Sequence, residues 1–241
     1  DLNEFVQKNR LIVEAANKFL VDEGNAIQAT EVYTRAKEFN VQKDFLNFIK
    51  SNYILSDLKE KFYRYKDLVD EIAESQGKSV NFIISGDNIQ VDGQSYSDFI
   101  NAIIHIFRNM IDHGIETEEE REEKEKPHKG TIKAHFKLGE ENFIITLEDD
   151  GKGVDPQTIK EKVIERNLKK ENEIQKMNDF ELINLIFLPG FSTKSDVSLI
   201  SGRGIGMDVV KKETEKLGGE IKLTSIVDKG AQIKITLPLI R

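Results

Sequence analysis

The chain has 241 residues, of which 38% are hydrophobic and 32% are charged, and its formal net charge is −8. This apolar content supports a folded core and excludes a disordered chain. The negative charge disfavours sequence-independent binding to nucleic acid, which requires clustered Lys and Arg. Cysteine is absent, so disulfides and thiolate metal sites are excluded.

No apolar run approaches the roughly 18 residues that a membrane span needs, and no signal-peptide pattern is present. We therefore expect a cytoplasmic segment that makes no contact with a membrane. Because the sequence starts at Asp1 rather than Met, we expect it to be part of a longer protein.

Residues 1–52 are predicted to be helical, because apolar residues recur at helical intervals and Gly and Pro are nearly missing. Residues 56–77 predict one further helix, with Ser56 as its N-cap and Gly77 as its end. We divide the chain into a small helical region, 1–55, and a second domain, 56–241. Two interpretations of the helical region are open: dimerisation helices, or a local extension that packs on the second domain.

Further along the chain, period-two alternation predicts strands and longer apolar periods predict helices. The predicted order is a strand (79–85), a long helix (95–114), two strands (131–138 and 142–149), a polar insert (156–200), a helix (204–219) and two strands (220–226 and 231–239). This order predicts an α+β fold with helices on one face of a mixed sheet. The charged segment 116–130 is interpreted as a solvated connection.

The long helix carries a polar stripe opposite its apolar face. His105, Asn109, Asp112 and His113 follow the spacing i, i+4, i+7, i+8. A solvated face is one interpretation, but such faces favour Lys and Glu, whereas His and Asn are short groups that ligate or orient. An Asn amide oxygen suits Mg²⁺. No third histidine or thiol nearby would complete a zinc site.

The sequence Asp149-x-Gly151-x-Gly153 follows a predicted strand. A carboxylate at a strand end can accept a hydrogen bond from an exocyclic amine such as that of adenine. The glycines would let the backbone approach a flat ring. An ordinary Asp-Gly turn is the alternative.

A second glycine motif precedes a helix that starts near Ile205, and it contains Gly202, Gly204 and Gly206. Exposed backbone N–H groups at a helix N-terminus favour anions, so a phosphate site is one interpretation and a flexible hinge is the other. Upstream, Ser192, Thr193 and Lys194 offer two hydroxyls and an ammonium to a triphosphate. The surrounding segment is long for a plain loop, which favours a lid.

In this order the motifs resemble the GHKL class of ATP-binding proteins, which includes histidine kinases, type II topoisomerases, MutL and the large heat-shock chaperones. Within that class, "HIFRNMIDHGIE", "LIFLPGFSTKSDVSLISGRGIGMDVVKKETEKLGGEI" and "ITLPL" resemble the catalytic domain of CheA chemotaxis histidine kinases. The resemblance covers about residues 60–241. It implies the Bergerat α/β sandwich, binding of Mg-ATP and transfer of the γ-phosphate to a histidine.

By this resemblance, Asn109 would coordinate Mg²⁺ on the ATP phosphates and His105 would be the catalytic histidine. His113 would contact the ribose and phosphates, and Asp149 would accept the adenine amine. The other implied contacts lie beside the ring, in the lid and along the phosphates: Asp112, Gly151, Gly153, Ser192, Thr193, Lys194, Gly202, Gly204, Ile205, Gly206 and Met207.

The chain departs from the family at Ala231, because a threonine usually follows the last glycine. No histidine precedes His105, so the usual phosphoacceptor is absent. The implied partners are a histidine phosphotransfer domain, in the same parent protein or in trans, and a response regulator. The alternative functions are a GHKL ATPase, a serine kinase of the anti-sigma type, and a nucleotide-binding module that signals without phosphotransfer.

Overall fold

The computed structural model describes residues 26–38, 42–191 and 206–240. The chain divides into two compact units. The first comprises residues 1–57, 90–97 and 240–241, and the second comprises residues 58–89 and 98–239. Among the described residues, no helix combines the length and apolar character that a membrane crossing requires.

The helices and strands follow one another closely along the described chain. The helices are α1 (Ala26–Glu38), α2 (Lys43–Ile49), α3 (Leu58–Tyr63), α4 (Tyr65–Ser75), α5 (Ser97–Asn109), α6 (Glu118–Glu123), α7 (Pro156–Glu165), α8 (Glu171–Ile174), α9 (Asp179–Ile183) and α10 (Met207–Lys216). The strands are β1 (Leu55–Asp57), β2 (Val80–Gly86), β3 (Gln90–Asp92), β4 (Gly130–Leu138), β5 (Asn142–Asp149), β6 (Glu220–Ile226) and β7 (Gly230–Pro238). Wider π turns at Lys50–Ile54 and Met110–Gly114 extend α2 and α5, and a 3₁₀ turn at Asn184–Phe187 extends α9.

In the first unit, β1 pairs with β3 in an antiparallel ladder, with Ser56 opposite Val91. The prediction that Ser56 is the N-cap of one helix over 56–77 was therefore wrong. Two helices, α3 and α4, follow this strand instead. The sequence did not predict β1 because its hydrogen-bonding partner, β3, follows three intervening elements and lies outside any local window of periodicity.

In the second unit, five strands form a sheet in the order β2-β4-β5-β7-β6. β2 runs parallel to β4, whereas the other pairs are antiparallel. Buried and exposed side chains alternate along β4, where Ile132, Ala134 and Phe136 are fully buried. The predicted α+β architecture with a mixed sheet is confirmed.

Aromatic side chains join the helices of this unit to the buried face of the sheet. The rings of Phe62 and Phe136 meet edge to face with centroids 4.9 Å apart. Phe107 on α5 meets Phe82 on β2 at 5.0 Å. Burial of each such side chain contributes about 1.5–3 kcal/mol. This packing fixes one face of α5 against the sheet and leaves its polar stripe on the other side.

The charged segment 116–130 is not the solvated connection that its composition indicated. Thr117 and Glu120 form a reciprocal capping box that starts helix α6. Arg121 is fully buried and forms 3.0 Å ion pairs with Glu116 and Asp150. The interpretation was wrong because the second carboxylate lies in a distant segment that folding brings alongside.

The first part of the polar insert has a hydrophobic cluster of its own. Its buried members are Ile159, Val163, Ile174, Leu182, Leu185 and Phe191. Helices α7, α8 and α9 supply most of them, so residues 156–191 form a packed subdomain. The predicted lid residues beyond 191 lie outside the described residues.

Candidate functional site

A pocket of about 620 Å³ opens beside the C-terminal half of α5. Its wall combines α5 with the loop after β5, helix α7 and the facing parts of β6 and β7. Six residues singled out from the sequence line it: Asn109, His113, Asp149, Gly153, Met207 and Ala231. The volume lies within the range of about 300–1,000 Å³ that is usual for small-molecule sites.

The polar stripe of α5 divides into two parts. Asn109 and His113 line the pocket, but His105 and Asp112 are not among its lining residues. The Asp112 carboxylate instead accepts a hydrogen bond from the Gln76 side chain. His105 is half-buried, and this burial lowers its pKa below the usual value, so the imidazole is neutral at neutral pH.

The end of α5 widens into the π turn Met110–Gly114. The Ile115 N–H donates to the Met110 carbonyl across 2.7 Å, a span of five residues. Lys78 donates to the Ile111 carbonyl at 2.6 Å and so satisfies an orphan acceptor at the helix end. Such wide turns recur at functional sites. Here the turn carries His113 at the edge of the pocket.

Asp149 is the last residue of β5 and is only 8% exposed. Burial raises the pKa of this carboxyl to about 6, although backbone N–H groups of Gly151 and Ala231 oppose the shift. Gly151 N donates to Asp149 Oδ1 at 3.0 Å. A buried carboxylate that lines a pocket is a directed acceptor for a ligand N–H group.

Close contacts between backbone segments account for the glycines that follow Asp149. A Cβ atom on Gly151 would lie 2.2 Å from the Gly114 carbonyl oxygen. Gly153 has φ of +72°, and a Cβ there would lie 2.4 Å from the Ile226 carbonyl oxygen. Gly153 lines the pocket, whereas Gly151 packs against the end of the π turn. These glycines bring α5, β5 and β6 together around Asp149.

The start of α10 forms another edge of the pocket. Gly206 is the N-cap of this helix, and Met207 is buried and lines the pocket. The other residues predicted for the lid and phosphate contacts lie outside the described residues: Ser192, Thr193, Lys194, Gly202, Gly204 and Ile205.

Several cationic side chains that the sequence analysis did not single out also line the pocket. Lys124 pairs with Asp228 at one edge. Lys152 lies in the loop after Asp149, and the Arg166 guanidinium lies 5.8 Å from the centre of the Phe191 ring. Lysines and arginines are too frequent in this chain for composition to mark them. Lys152 and Arg166 offer positive charge to an anionic ligand, whereas the charge of Lys124 is offset by Asp228.

Comparison with known proteins gives a consistent result. Residues 99–241 match the family described as Histidine kinase-, DNA gyrase B-, and HSP90-like ATPase. The chain is 45% identical over 178 residues to the chemotaxis protein CheA of Borreliella burgdorferi, covering 74% of this chain and 20% of that protein. It is 42% identical over 178 residues to the sensor histidine kinase CheAY of Helicobacter pylori, covering 74% and 22%.

A gliding motility regulatory protein of Myxococcus xanthus is 37% identical over 184 residues, which cover 76% of this chain and 24% of that protein. The chain thus spans less than a quarter of the length of these three relatives. The similarity to CheA that the sequence motifs indicated is confirmed.

Proposed function

We propose that this chain, which belongs to the family of histidine kinase-, DNA gyrase B- and HSP90-like ATPases, binds Mg-ATP and transfers its γ-phosphate to a histidine on a separate domain. One observation carries the proposal: a single pocket gathers Asn109 and His113 from α5, the buried Asp149 carboxylate and the start of α10.

Each end of the pocket suits a different part of the nucleotide. Asp149 would accept the exocyclic amine of adenine, with Gly153 beside the ring. His113 and Lys152 would face the sugar and phosphates. The neutral Asn109 side chain fits Mg²⁺ because its amide oxygen is a hard donor and the phosphates supply further oxygens.

The chemistry of transfer consists mainly of positioning and charge neutralisation. Bound Mg²⁺ would neutralise charge between the phosphates. The pocket cations would add to that effect. His105 lies one helical turn before Asn109 and outside the pocket lining, so its proposed role is to position the transfer. The acceptor histidine would be supplied by a phosphotransfer domain, and a response regulator would then receive the phosphoryl group on an aspartate.

The proposal is tested by incubating the chain with γ-labelled ATP, Mg²⁺ and a histidine phosphotransfer domain. We expect acid-labile, base-stable label on that domain only when the chain is present. Phosphate release without labelling of the partner would favour an ATPase. Binding of ATP with neither outcome would favour a module that signals without transfer. Label on serine would favour an anti-sigma type of kinase.

The N-terminal helical region, 1–55, is proposed to mediate dimerisation, and packing on the second domain is the alternative. Deleting residues 1–52 is expected to reduce the mass measured in solution from that of a dimer to that of a monomer. An unchanged oligomeric state would contradict dimerisation.

Adenosine binding is expected to depend on pH through Asp149. Burial raises the pKa of this carboxyl to about 6, and an ionised carboxylate is the stronger hydrogen-bond acceptor. Affinity should therefore fall as the pH is lowered through 6 and become constant at higher pH. Adenosine is used because it carries no titrating phosphate.

At pH 8, Asp149→Asn should weaken adenosine binding by about tenfold, since a charge-assisted hydrogen bond is lost. Calorimetric titrations from pH 5 to pH 8 measure both effects. The variant serves as the control, because it should lose the part of the pH dependence that belongs to Asp149. A pH-independent wild-type affinity would contradict the assigned role of Asp149.

A further inference from the structure

A partly buried ion cluster contacts the loop after β5 and consists of Glu116, Arg121, Lys126 and Asp150. Arg121 is fully buried and Glu116 is 3% exposed. Taking such charges out of water is costly unless the geometry and hydrogen bonding compensate. The partners of these side chains therefore indicate what the cluster holds in place.

Arg121 joins three separate pieces of backbone and side chain. Its Nη1 donates to Glu116 Oε2 at 3.0 Å, and its Nη2 donates to Asp150 Oδ2 at 3.0 Å. Its Nε donates to the Pro127 carbonyl oxygen at 2.6 Å. The planar guanidinium thus links the α6 segment directly to the loop that follows β5.

Lys126 contacts the main chain of the same loop. Its ammonium donates to the carbonyl oxygens of Asp150 at 3.1 Å and Gly151 at 2.8 Å, and to Glu116 Oε1 at 2.7 Å. On the other side, Thr131 N donates to Asp150 Oδ1 at 2.8 Å. The two residues after Asp149 are therefore held by an arginine, a lysine and a neighbouring strand.

The position of these two residues helps to set that of the Asp149 carboxylate, which the backbone N–H of Ala231 also contacts. Gly151 N donates to Asp149 Oδ1 at 3.0 Å, so a shift of the Gly151 peptide would move or release this oxygen. Loops carry binding groups but are mobile unless they are tied down. A recognition group must be held to within about 0.5 Å by its supporting residues.

We propose that Arg121 and Lys126 are positioning residues for adenine recognition: they hold the Asp150–Gly151 main chain so that the Asp149 carboxylate faces the exocyclic amine of the ligand. The inference rests on the proposed function, because it concerns the same pocket. Neither side chain lines the pocket, so both act through the loop.

The test compares ATP with inosine triphosphate, which has a carbonyl where adenine has its amine. The dissociation constant for inosine triphosphate divided by that for ATP, measured at pH 8, reports how well the amine is recognised. Lys126→Met should reduce this ratio about fivefold by selectively weakening ATP binding. Lys129→Met is the matched control, because Lys129 is exposed in the same segment, and its ratio should equal that of the wild type.

A general loss of stability would weaken the binding of both nucleotides equally and leave the ratio of their dissociation constants unchanged. Thermal melting is recorded for each variant, and binding is measured well below the melting temperature. This comparison separates positioning from a purely structural role.

Asp150→Asn tests the contact with Arg121. It provides the test of loop positioning if Lys126→Met does not fold. The amide keeps an oxygen for Thr131 N but removes the charge that the guanidinium contacts. The negative charge of Asp150 raises the pKa of Asp149, so its removal keeps Asp149 ionised at pH 8 and does not by itself weaken amine recognition. A reduced ratio would therefore report displacement of the loop.

Unchanged ratios in both variants, with a wild type that prefers ATP, would overturn this inference alone. A wild type that binds both nucleotides equally would overturn the role of Asp149 together with this inference. A wild type that binds neither nucleotide would contradict the proposed function itself.

Discussion

Replacing Asn109 by aspartate is expected to reduce phosphoryl transfer to a phosphotransfer histidine by about 10²–10³-fold, the loss typical when one electrostatic contact to the transition state is removed. The change keeps one oxygen donor but adds a negative charge that faces the triphosphate. It also removes the amide N–H donors. The charge should oppose both nucleotide binding and the charge that develops during transfer.

The loss is measured from initial rates of phosphoryl transfer with γ-labelled ATP. Saturating nucleotide separates the effect on transfer from the effect on binding. Asn101→Asp is the matched control, since Asn101 is exposed on the same helix and does not line the pocket. That control should transfer at the wild-type rate. Equal labelling by Asn109→Asp and wild type would contradict the assignment of Asn109 to the phosphate end of the pocket.

The second large effect is expected on stability, from Gly230→Ala. Gly230 has φ of +110°, and a Cβ atom there would lie 1.9 Å from the Asp149 carbonyl oxygen. The three nearest atoms, Asp149 O, Asp149 C and Asp150 Cα, all belong to the main chain, so none can rotate away. Backbone strain of about 1–3 kcal/mol and overpacking of about 1–3 kcal/mol add up to a substantial loss.

We expect the free energy of unfolding to fall by about 3 kcal/mol or more, because both costs apply at one position. The melting temperature should then fall by about 6–12 °C, at 2–4 °C per kcal/mol for a domain of this size. Thermal melting monitored by circular dichroism measures the change.

Gly77→Ala provides the control for backbone conformation. Gly77 also has positive φ, +65°, but no atom lies within 4 Å of the Cβ position. Its loss should be limited to about 1 kcal/mol of backbone strain. If both substitutions lower the melting temperature equally, the close approach of Gly230 to Asp149 is not the cause.

Much of the second unit could be predicted from local pattern. Alternation along 131–138 and 142–149 predicted β4 and β5, and the helical period over 95–114 predicted α5, but not the π turn into which its end widens. The pocket-lining residues of α5 and the glycine loop stood out because they break those patterns. An Asn and two His on a helix, or a carboxylate at a strand end, are visible without knowledge of the fold.

Amino-acid order alone therefore establishes most strands and helices of the second unit, the polar stripe and the motif that contains Asp149, because periods of 2 and 3.6 residues are local properties. Folding alone decided that β1 exists, that Arg121 is buried and that lysines line the pocket. Each of these depends on a partner distant in sequence. The sequence alone predicts that a charged residue is solvated unless its counter-charge is known, and Asp150 contacts Arg121 only because folding brings the loop after β5 to α6.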